Sequence, residues 1–176
     1  MLKTIKTIVG LGSLIFASTT YASLIGDTVG CSLNALSGFT CSAPTAVVGT
    51  GLEFTVGGGA FIDVDISASA IDLTFNVTGS LSGTIINLTD LDFPLAPGFI
   101  TSATLLGTNA ITGFTQANLS TSSNSIAIDL IGTDFTQGAT ASILLNTTQS
   151  VPEPAVSLLL TLGLFGFACR RHQLAA

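Results

Sequence analysis

Apolar and polar residues alternate with a period of two along much of the chain. Successive side chains of a β-strand point to opposite faces, so this alternation predicts strands with the apolar side chains of each run on one buried face. The runs that show it, with two less regular apolar stretches, are 52–56, 62–66, 71–77, 84–91, 100–106, 126–130 and 139–145. No stretch between them has a comparable 3.6-residue period, so the pattern favours strands over helices.

Short polar segments rich in Gly, Ser, Asn and Asp separate these runs at intervals of roughly ten residues. The clearest turns are expected at 57–59, 79–83 and 120–125. This spacing is typical of short antiparallel strands in a sandwich or barrel. The sequence therefore predicts an all-β fold: a single antiparallel β-sandwich with Greek-key or jelly-roll-like connections, seven to nine strands in two sheets, and a core of Phe, Ile, Leu and Val.

Residues 1–22 have the three zones of a secretory signal peptide. Lys3 and Lys6 precede an apolar run at 7–17, and small or polar residues lead to Ala22. We therefore expect a signal helix, export by the Sec machinery and cleavage after Ala22. The alternative is an amphipathic first helix of the fold, which the shortness of the run and the polar residues after it disfavour.

The C-terminal segment at 151–176 combines a proline-rich boundary, an apolar stretch and a basic end. Its parts are, in order, Pro152, Glu153, Pro154, the uncharged residues 155–169, and the basic pair Arg170 and Arg171. At 1.5 Å per residue a helix of this uncharged length spans only ~22 Å, short of the roughly 30 Å of a bilayer core, but it can cross where the arginines snorkel and the bilayer thins. The sequence therefore predicts a short transmembrane helix, inserted transiently in the inner membrane with its basic end inside. The alternative is a permanent single-span anchor.

This tail resembles the PEP-CTERM protein-sorting signal, in which a Pro-Glu-Pro motif, a short hydrophobic helix and an Arg-rich end are presented to an exosortase. The resemblance implies that Pro152, Glu153 and Pro154, with Arg170 and Arg171, are the recognition element of a substrate. It also implies that the exosortase, a membrane enzyme with a Cys nucleophile, cuts near the motif and passes the body to the cell surface or the extracellular space. The basic end here is only two arginines, whereas the family commonly has a longer basic run.

Lysine, arginine, histidine, tyrosine and tryptophan are all absent between Leu24 and Gln149, while nine of the ten acidic residues lie there. Nucleic-acid affinity rests mainly on Lys and Arg side chains that neutralise phosphates, so we expect no nucleic-acid partner. Ser-His-Asp and Cys-His nucleophile systems, Schiff-base lysines, His-ligated metal sites and Arg clamps cannot be assembled from these residues. The sequence therefore predicts a protein that is not an enzyme and holds no cofactor.

Cys31 and Cys41 stand ten residues apart in a region bound for an oxidising compartment, so we predict a disulfide between them. Closing this loop contributes ~2.8 kcal/mol, because it lowers the entropy of the unfolded chain. The alternative is a pair of free buried thiols.

Two pairs of carboxylates, Asp63 with Asp65 and Asp90 with Asp92, lie on one strand face or at a strand end. No Lys or Arg of the body can pair with them, and calcium, which binds six to eight oxygens, is a weak candidate ligand. Neither pair matches an EF-hand, and solvated acids that prevent the association of sheet edges explain the same pattern. A hydrolase that uses two of these carboxylates is a further alternative, and it requires a cleft.

The sequence thus predicts three parts: a signal peptide at 1–22, an extracellular β-sandwich domain at 23–150 and the sorting signal at 151–176. We expect an exported, non-enzymatic protein of a bacterial surface or extracellular matrix that an exosortase processes. The resemblance further implies an association with exopolysaccharide and biofilm. The alternative is an extracellular β-sandwich module that binds calcium or a glycan.

Overall fold

The described part of the chain is built from β-strands in two antiparallel sheets. The computed structural model describes residues 22–35, 38–59, 61–94 and 98–149. The strands are β1 (Thr28–Ala35), β2 (Thr45–Val47), β3 (Leu52–Val56), β4 (Ile62–Ile66), β5 (Ala70–Phe75), β6 (Gly79–Leu81), β7 (Thr84–Thr89), β8 (Gly98–Thr112), β9 (Leu119–Thr121), β10 (Ile126–Asp129) and β11 (Thr133–Gln149). A 3₁₀ turn spans Gln116–Asn118, and within the described ranges no helix has the length and apolar character needed to cross a membrane. The all-β, antiparallel prediction is confirmed, while the predicted signal helix and C-terminal helix lie outside the described residues.

Strands that are far apart in sequence lie side by side in both sheets. Sheet I has the order β2-β1-β7-β10-β9, and sheet II has the order β3-β4-β5-β11-β6, with β8 paired to β11. The long strand β11 pairs with β6 through residues 133–135 and with β5 through residues 140–144. β8 follows β11 over nearly its whole length, with several shifts of register. β1 and β7, for example, are neighbours in sheet I although five strands lie between them in the chain. Greek-key folds bring strands together by long connections in a similar way.

The buried side chains of the two sheets form one core. On β4, β5, β10 and the central part of β11, every second side chain is buried, as the alternation predicts. The predicted core positions that are buried in these strands and directly after β10 are Ile62, Val64, Ile66, Ile71, Leu73, Phe75, Ile126, Ile128, Leu130, Ala139, Ala141, Ile143 and Leu145. The other faces of these strands carry mainly polar residues, so each sheet has one dry and one wet face.

The predicted number of strands, seven to nine, is wrong, because the described residues form eleven. The additional strands are β1, β2, β6 and β9, and the last three have only three residues each, too few to show a period. β6 lies wholly inside the segment predicted as a turn at 79–83, and β9 lies partly inside the one at 120–125. The sequence of β1, TVGCSLNA, alternates through Val29, Cys31 and Leu33, an alternation that is not among the predicted runs, and its pairing with β2 and β7 holds it in sheet I.

A β-bulge at Glu53 changes the face to which β3 presents its first apolar residue. The register between β3 and β4 shifts between Leu52 and Phe54, so Glu53 is an extra residue on its strand. Leu52 is therefore 49% exposed, although the sequence predicted that it shares the buried face of Phe54. The Glu53 carboxylate stabilises the bulge, because Oε1 accepts a hydrogen bond from the Gly49 N–H (2.9 Å) and Oε2 accepts one from the Ile66 N–H (2.6 Å).

Candidate functional site

Both ends of the β domain lie at the same end of the sandwich. The Leu24 N–H donates to the Ala68 carbonyl (2.8 Å), and the Leu145 N–H donates to the Ser69 carbonyl (2.8 Å). The turn at 67–69 therefore contacts both the start of the domain and the C-terminal half of β11. We name this region, with the paired ends of β8 and β11, the N/C end. Leu24 is fully buried there, so the packed domain begins directly after the predicted signal peptide.

A β-bulge separates the last residue pairs of β8 and β11 from the rest of their ladder. The register shifts after Asn146. The pairs beyond the bulge, which we name the terminal β8–β11 pairs, are Thr147 with Ile100, Thr148 with Phe99, and Gln149 with Gly98. Phe99 is 55% exposed and Thr148 is also exposed. Ile100 is buried, and its N–H donates to the Ser123 carbonyl (2.8 Å), so both its side chain and its backbone are fixed.

Asp27 is an acidic side chain that the N/C end buries, with only 8% of its surface exposed. Its Oδ1 accepts a hydrogen bond from the Thr28 N–H (2.8 Å), and its Oδ2 accepts one from the Asp92 N–H (2.8 Å). Its backbone N–H donates to the Leu24 carbonyl (2.8 Å), and its carbonyl accepts from the Val48 N–H (2.9 Å). Sequence reasoning missed this residue, because its role depends on a partner 65 residues away in the chain.

The structure separates the two pairs of acids that were predicted as calcium candidates. Asp63 and Asp65 lie on the outer face of β4 in sheet II, while Asp90 and Asp92 follow β7 at the N/C end. The residue directly opposite Asp65 is Asp72 on β5, an acid that sequence reasoning did not single out. Within the described part of the chain, no group of three or more His, Cys, Asp or Glu side chains could hold a metal ion. The calcium site stays a prediction.

Asp65 and Asp72 place two like charges directly opposite each other in the β4–β5 ladder, an arrangement that destabilises a sheet. We expect Asp65→Asn to raise the free energy of unfolding by about 0.5 kcal/mol at low salt, and the gain to shrink in concentrated NaCl because salt screens exposed charges. Urea unfolding at two salt concentrations measures both effects. The matched control is Asp134→Asn, which removes an exposed acid that faces uncharged Ser80 and Thr112. Equal gains in both variants would assign the effect to net charge instead of the opposed pair.

A groove of about 600 Å³ crosses the outer face of sheet II between β5, β11 and β8. Its polar lining residues are Asp72, Thr74, Thr108, Asn109, Thr140 and Ser142. Asp72 accepts a hydrogen bond from the Ser142 hydroxyl, and Leu106, which is 60% exposed, forms part of the wall. The groove therefore offers hydroxyl, amide and carboxylate groups beside an exposed apolar side chain.

The predicted disulfide between Cys31 and Cys41 is present, and its Cα atoms are 6.1 Å apart. Cys31 lies on β1 of sheet I, while Cys41 forms an isolated β-bridge with Val56 of β3 in sheet II. The next residue, Ser42, donates its N–H to the Thr55 carbonyl (2.8 Å). The disulfide therefore joins the two sheets and holds a covering segment along the β3 edge, a role that the spacing of the cysteines did not predict.

The family model of the PEP-CTERM protein-sorting motif matches residues 150–171 of the chain. The chain carries a PEP-CTERM sorting motif. The matched range includes the five predicted recognition residues Pro152, Glu153, Pro154, Arg170 and Arg171, all of which lie outside the described residues. No curated protein and no solved structure matches the chain significantly.

The PEP-CTERM motif identifies an exported protein that an exosortase sorts to the cell surface or the extracellular space. The match begins at residue 150, directly after Gln149, the last residue of β11. Residues 150–154 separate this strand from the predicted helix at 155–169. The motif is therefore adjacent to the N/C end in the chain.

Proposed function

We propose that this protein is an exported, non-enzymatic component of a bacterial cell surface or extracellular matrix, and that its β domain is the cargo that the sorting motif delivers. In this proposal the Sec machinery translocates the chain, the tail inserts transiently in the inner membrane, and an exosortase then cuts near the Pro-Glu-Pro motif. The released domain associates with exopolysaccharide of the matrix or biofilm. The observation that carries the proposal is the sorting motif that follows β11 directly.

The distribution of charge supports this route. The basic residues of the chain are Lys3, Lys6, Arg170 and Arg171, and His172 follows them in the tail. Basic residues next to a membrane-spanning segment stay on the cytoplasmic side, so these residues favour an orientation in which only the acidic and neutral body crosses the membrane. The disulfide between Cys31 and Cys41 also supports export from the cytoplasm, because disulfides persist in oxidising compartments.

The experiment that tests the proposal is Glu153→Ala in the full chain, expressed in cells that contain the exosortase. Because Glu153 is the only charged residue of the Pro-Glu-Pro motif, we expect release of the processed domain to fall roughly tenfold or more, the change that a loss of about 1.4 kcal/mol in binding produces. Immunoblots of membrane and extracellular fractions measure it, and the uncut chain should accumulate in the inner membrane.

The matched control is Asp134→Ala, which removes an exposed acid from β11 and leaves the motif intact. Its release should equal that of the wild type. Deletion of the exosortase should reproduce the result of Glu153→Ala, and the double change should add nothing. Normal release of Glu153→Ala from cells with the enzyme would overturn the sorting step of the proposal.

The groove on sheet II favours a second candidate function, an extracellular module that binds a glycan or calcium. Its hydroxyl-rich lining and the opposed Asp65 and Asp72 are the observations that favour it. Co-sedimentation of the domain with insoluble matrix polysaccharide, compared between the wild type and Ser142→Ala, tests the glycan. Thermal melting in 5 mM CaCl₂, against NaCl of equal ionic strength, tests the metal, because a ligand that binds the native state alone raises the melting temperature.

A further inference from the structure

The sorting motif follows the folded sheet with almost no spacer. Gln149 is paired with Gly98 in the β8–β11 ladder, and Ser150 and Val151 are the only residues between it and Pro152. Two extended residues span at most ~7 Å. A protease that recognises Pro152 and the residues before it therefore meets backbone that is already paired in sheet II.

Paired backbone cannot serve at once as a strand of the sheet and as a substrate. Extended peptides bind to a partner through their main-chain N–H and C=O groups, with alternate side chains in pockets. At Thr147, Thr148 and Gln149 the groups that face β8 are engaged in the ladder. These residues become available to an enzyme only when the ladder opens there.

The terminal β8–β11 pairs are built to open separately from the rest of the sandwich. The bulge after Asn146 interrupts the ladder, and the Thr101 hydroxyl donates to the Asn146 carbonyl (3.0 Å) at that point, so regular pairing resumes only further inside. Phe99 and Thr148 are both exposed, so this pair can separate with little loss of buried apolar surface while Ile100 keeps its place in the core and its bond to Ser123. Strand ends with few buried contacts open at a small fraction of the free energy of global unfolding.

We propose that the terminal β8–β11 pairs must open before the exosortase can cut the chain, so that this strand end controls the rate of processing. The proposal rests on the proposed exosortase route and adds to it a positioning role for Phe99 and Thr148. The cut itself breaks one backbone amide: the acyl carbon passes to the enzyme's nucleophile, and the new amine takes up a proton and leaves with the other fragment. The strand end changes only the fraction of chains in which that amide is accessible.

The position of the N/C end explains why opening is needed. Before cleavage, residues 150–154 hold the end of β11 within ~18 Å of the predicted membrane segment. Leu24 lies at the same end of the sandwich through its bond to Ala68 (2.8 Å), so the domain has no further length of chain to release there. The chain can give the enzyme more length only by releasing residues from β11.

A cross-strand disulfide tests the proposal in the full-length precursor, in inner-membrane vesicles that contain the exosortase. Phe99→Cys with Thr148→Cys replaces a directly opposed pair, whose Cα atoms in antiparallel strands are roughly 4.5–5.5 Å apart and within disulfide range. We expect the oxidised variant to be cut at least roughly tenfold more slowly than the wild type. Reduction should restore the wild-type rate.

The matched control is Thr112→Cys with Asp134→Cys, an opposed pair of exposed residues at the other end of the same β8–β11 ladder. Its oxidised form should be cut at the wild-type rate. Reductant also breaks the native disulfide, and the cleavage rate of the wild-type precursor with and without reductant measures the effect of that loss. A flexible insertion of six Gly and Ser residues after Gln149 should speed cleavage and make it insensitive to the Phe99–Thr148 lock.

The outcomes separate the two proposals. Wild-type cleavage of the oxidised Phe99→Cys, Thr148→Cys variant would overturn the role of the strand end, and so would an insertion that leaves the rate unchanged. Failure of the wild-type precursor to be cut at all, with a positive exosortase substrate in the same vesicles, would instead overturn the proposed function. A locked variant that is slow while the insertion variant with the same lock is fast would establish that access, and not misfolding, limits cleavage.

Discussion

Asp27→Ala is expected to lower the free energy of unfolding of the β domain by about 3 kcal/mol, because hydrogen bonds to a charged group contribute roughly 1.5–3 kcal/mol each. The variant leaves the N–H groups of Thr28 and Asp92 without the carboxylate that accepts from both. Loss of the carboxylate also weakens the contact between the 24–28 segment and the loop after β7. Urea unfolding of the domain measures the change as a fall of about 1.5 M in the midpoint, for a slope of about 2 kcal/mol/M.

Asp27→Asn distinguishes the hydrogen bonds from the shape of the side chain. Asparagine keeps one acceptor oxygen, so it should retain one of the two bonds and lose about half as much stability as alanine. Asp134→Ala, a change at an exposed acid, should stay within about 0.5 kcal/mol of the wild type. If Asp27→Ala and Asp134→Ala were equally stable, the Asp27 carboxylate would not hold the N/C end together.

Removal of the disulfide in the Cys31→Ser, Cys41→Ser variant is expected to cost ~2.8 kcal/mol from loop closure alone, and to lower the melting temperature by about 10 °C in a domain of this size. The variant also frees the covering segment from the β3 edge, where Ser42 donates to the Thr55 carbonyl. Exposed edges pair with other chains, so light scattering on heating should begin earlier than in the wild type.

Reductant supplies the control for this variant. Reduced wild type should melt at the temperature of the double variant, and reductant should leave the double variant unchanged. The Glu53 carboxylate, which accepts two hydrogen bonds at the β3 bulge, provides a comparison, because Glu53→Ala should destabilise the oxidised and the reduced protein by the same amount. A double variant that melts within a degree or two of the oxidised wild type would contradict the stabilising role of the disulfide.

Local alternation was a reliable guide where a strand is long and has one buried face. The pattern of Ile62, Val64 and Ile66 predicts both the strand β4 and its buried positions, and all three are buried. The same reasoning failed for Leu52, because the bulge at Glu53 depends on the Ile66 N–H thirteen residues away. It also failed for the three-residue strands, which are strands only because a neighbour pairs with them.

The sorting motif and the disulfide also differ in how much of their role the sequence alone can predict. The Pro-Glu-Pro tail can be recognised in sequence because the sorting motif is a short continuous segment, and no fold is needed to assemble it. The pairing of Cys31 with Cys41 was predictable from their number and spacing. The fact that this disulfide links the two sheets was not predictable, because the position of the β3 edge depends on the assembled sandwich.

The amino-acid sequence by itself determined that the body is built of strands, that it carries no cationic side chain between Leu24 and Gln149, and that its tail is a sorting motif. These properties are local, since periodicity, charge and short motifs are complete within a few residues. Only the tertiary structure decided that Asp27 joins distant segments, that Asp65 faces Asp72, and that both ends of the domain contact the turn at 67–69. Each of these depends on the register of strands remote in sequence, and long-range pairing sets that register through the burial of one shared core.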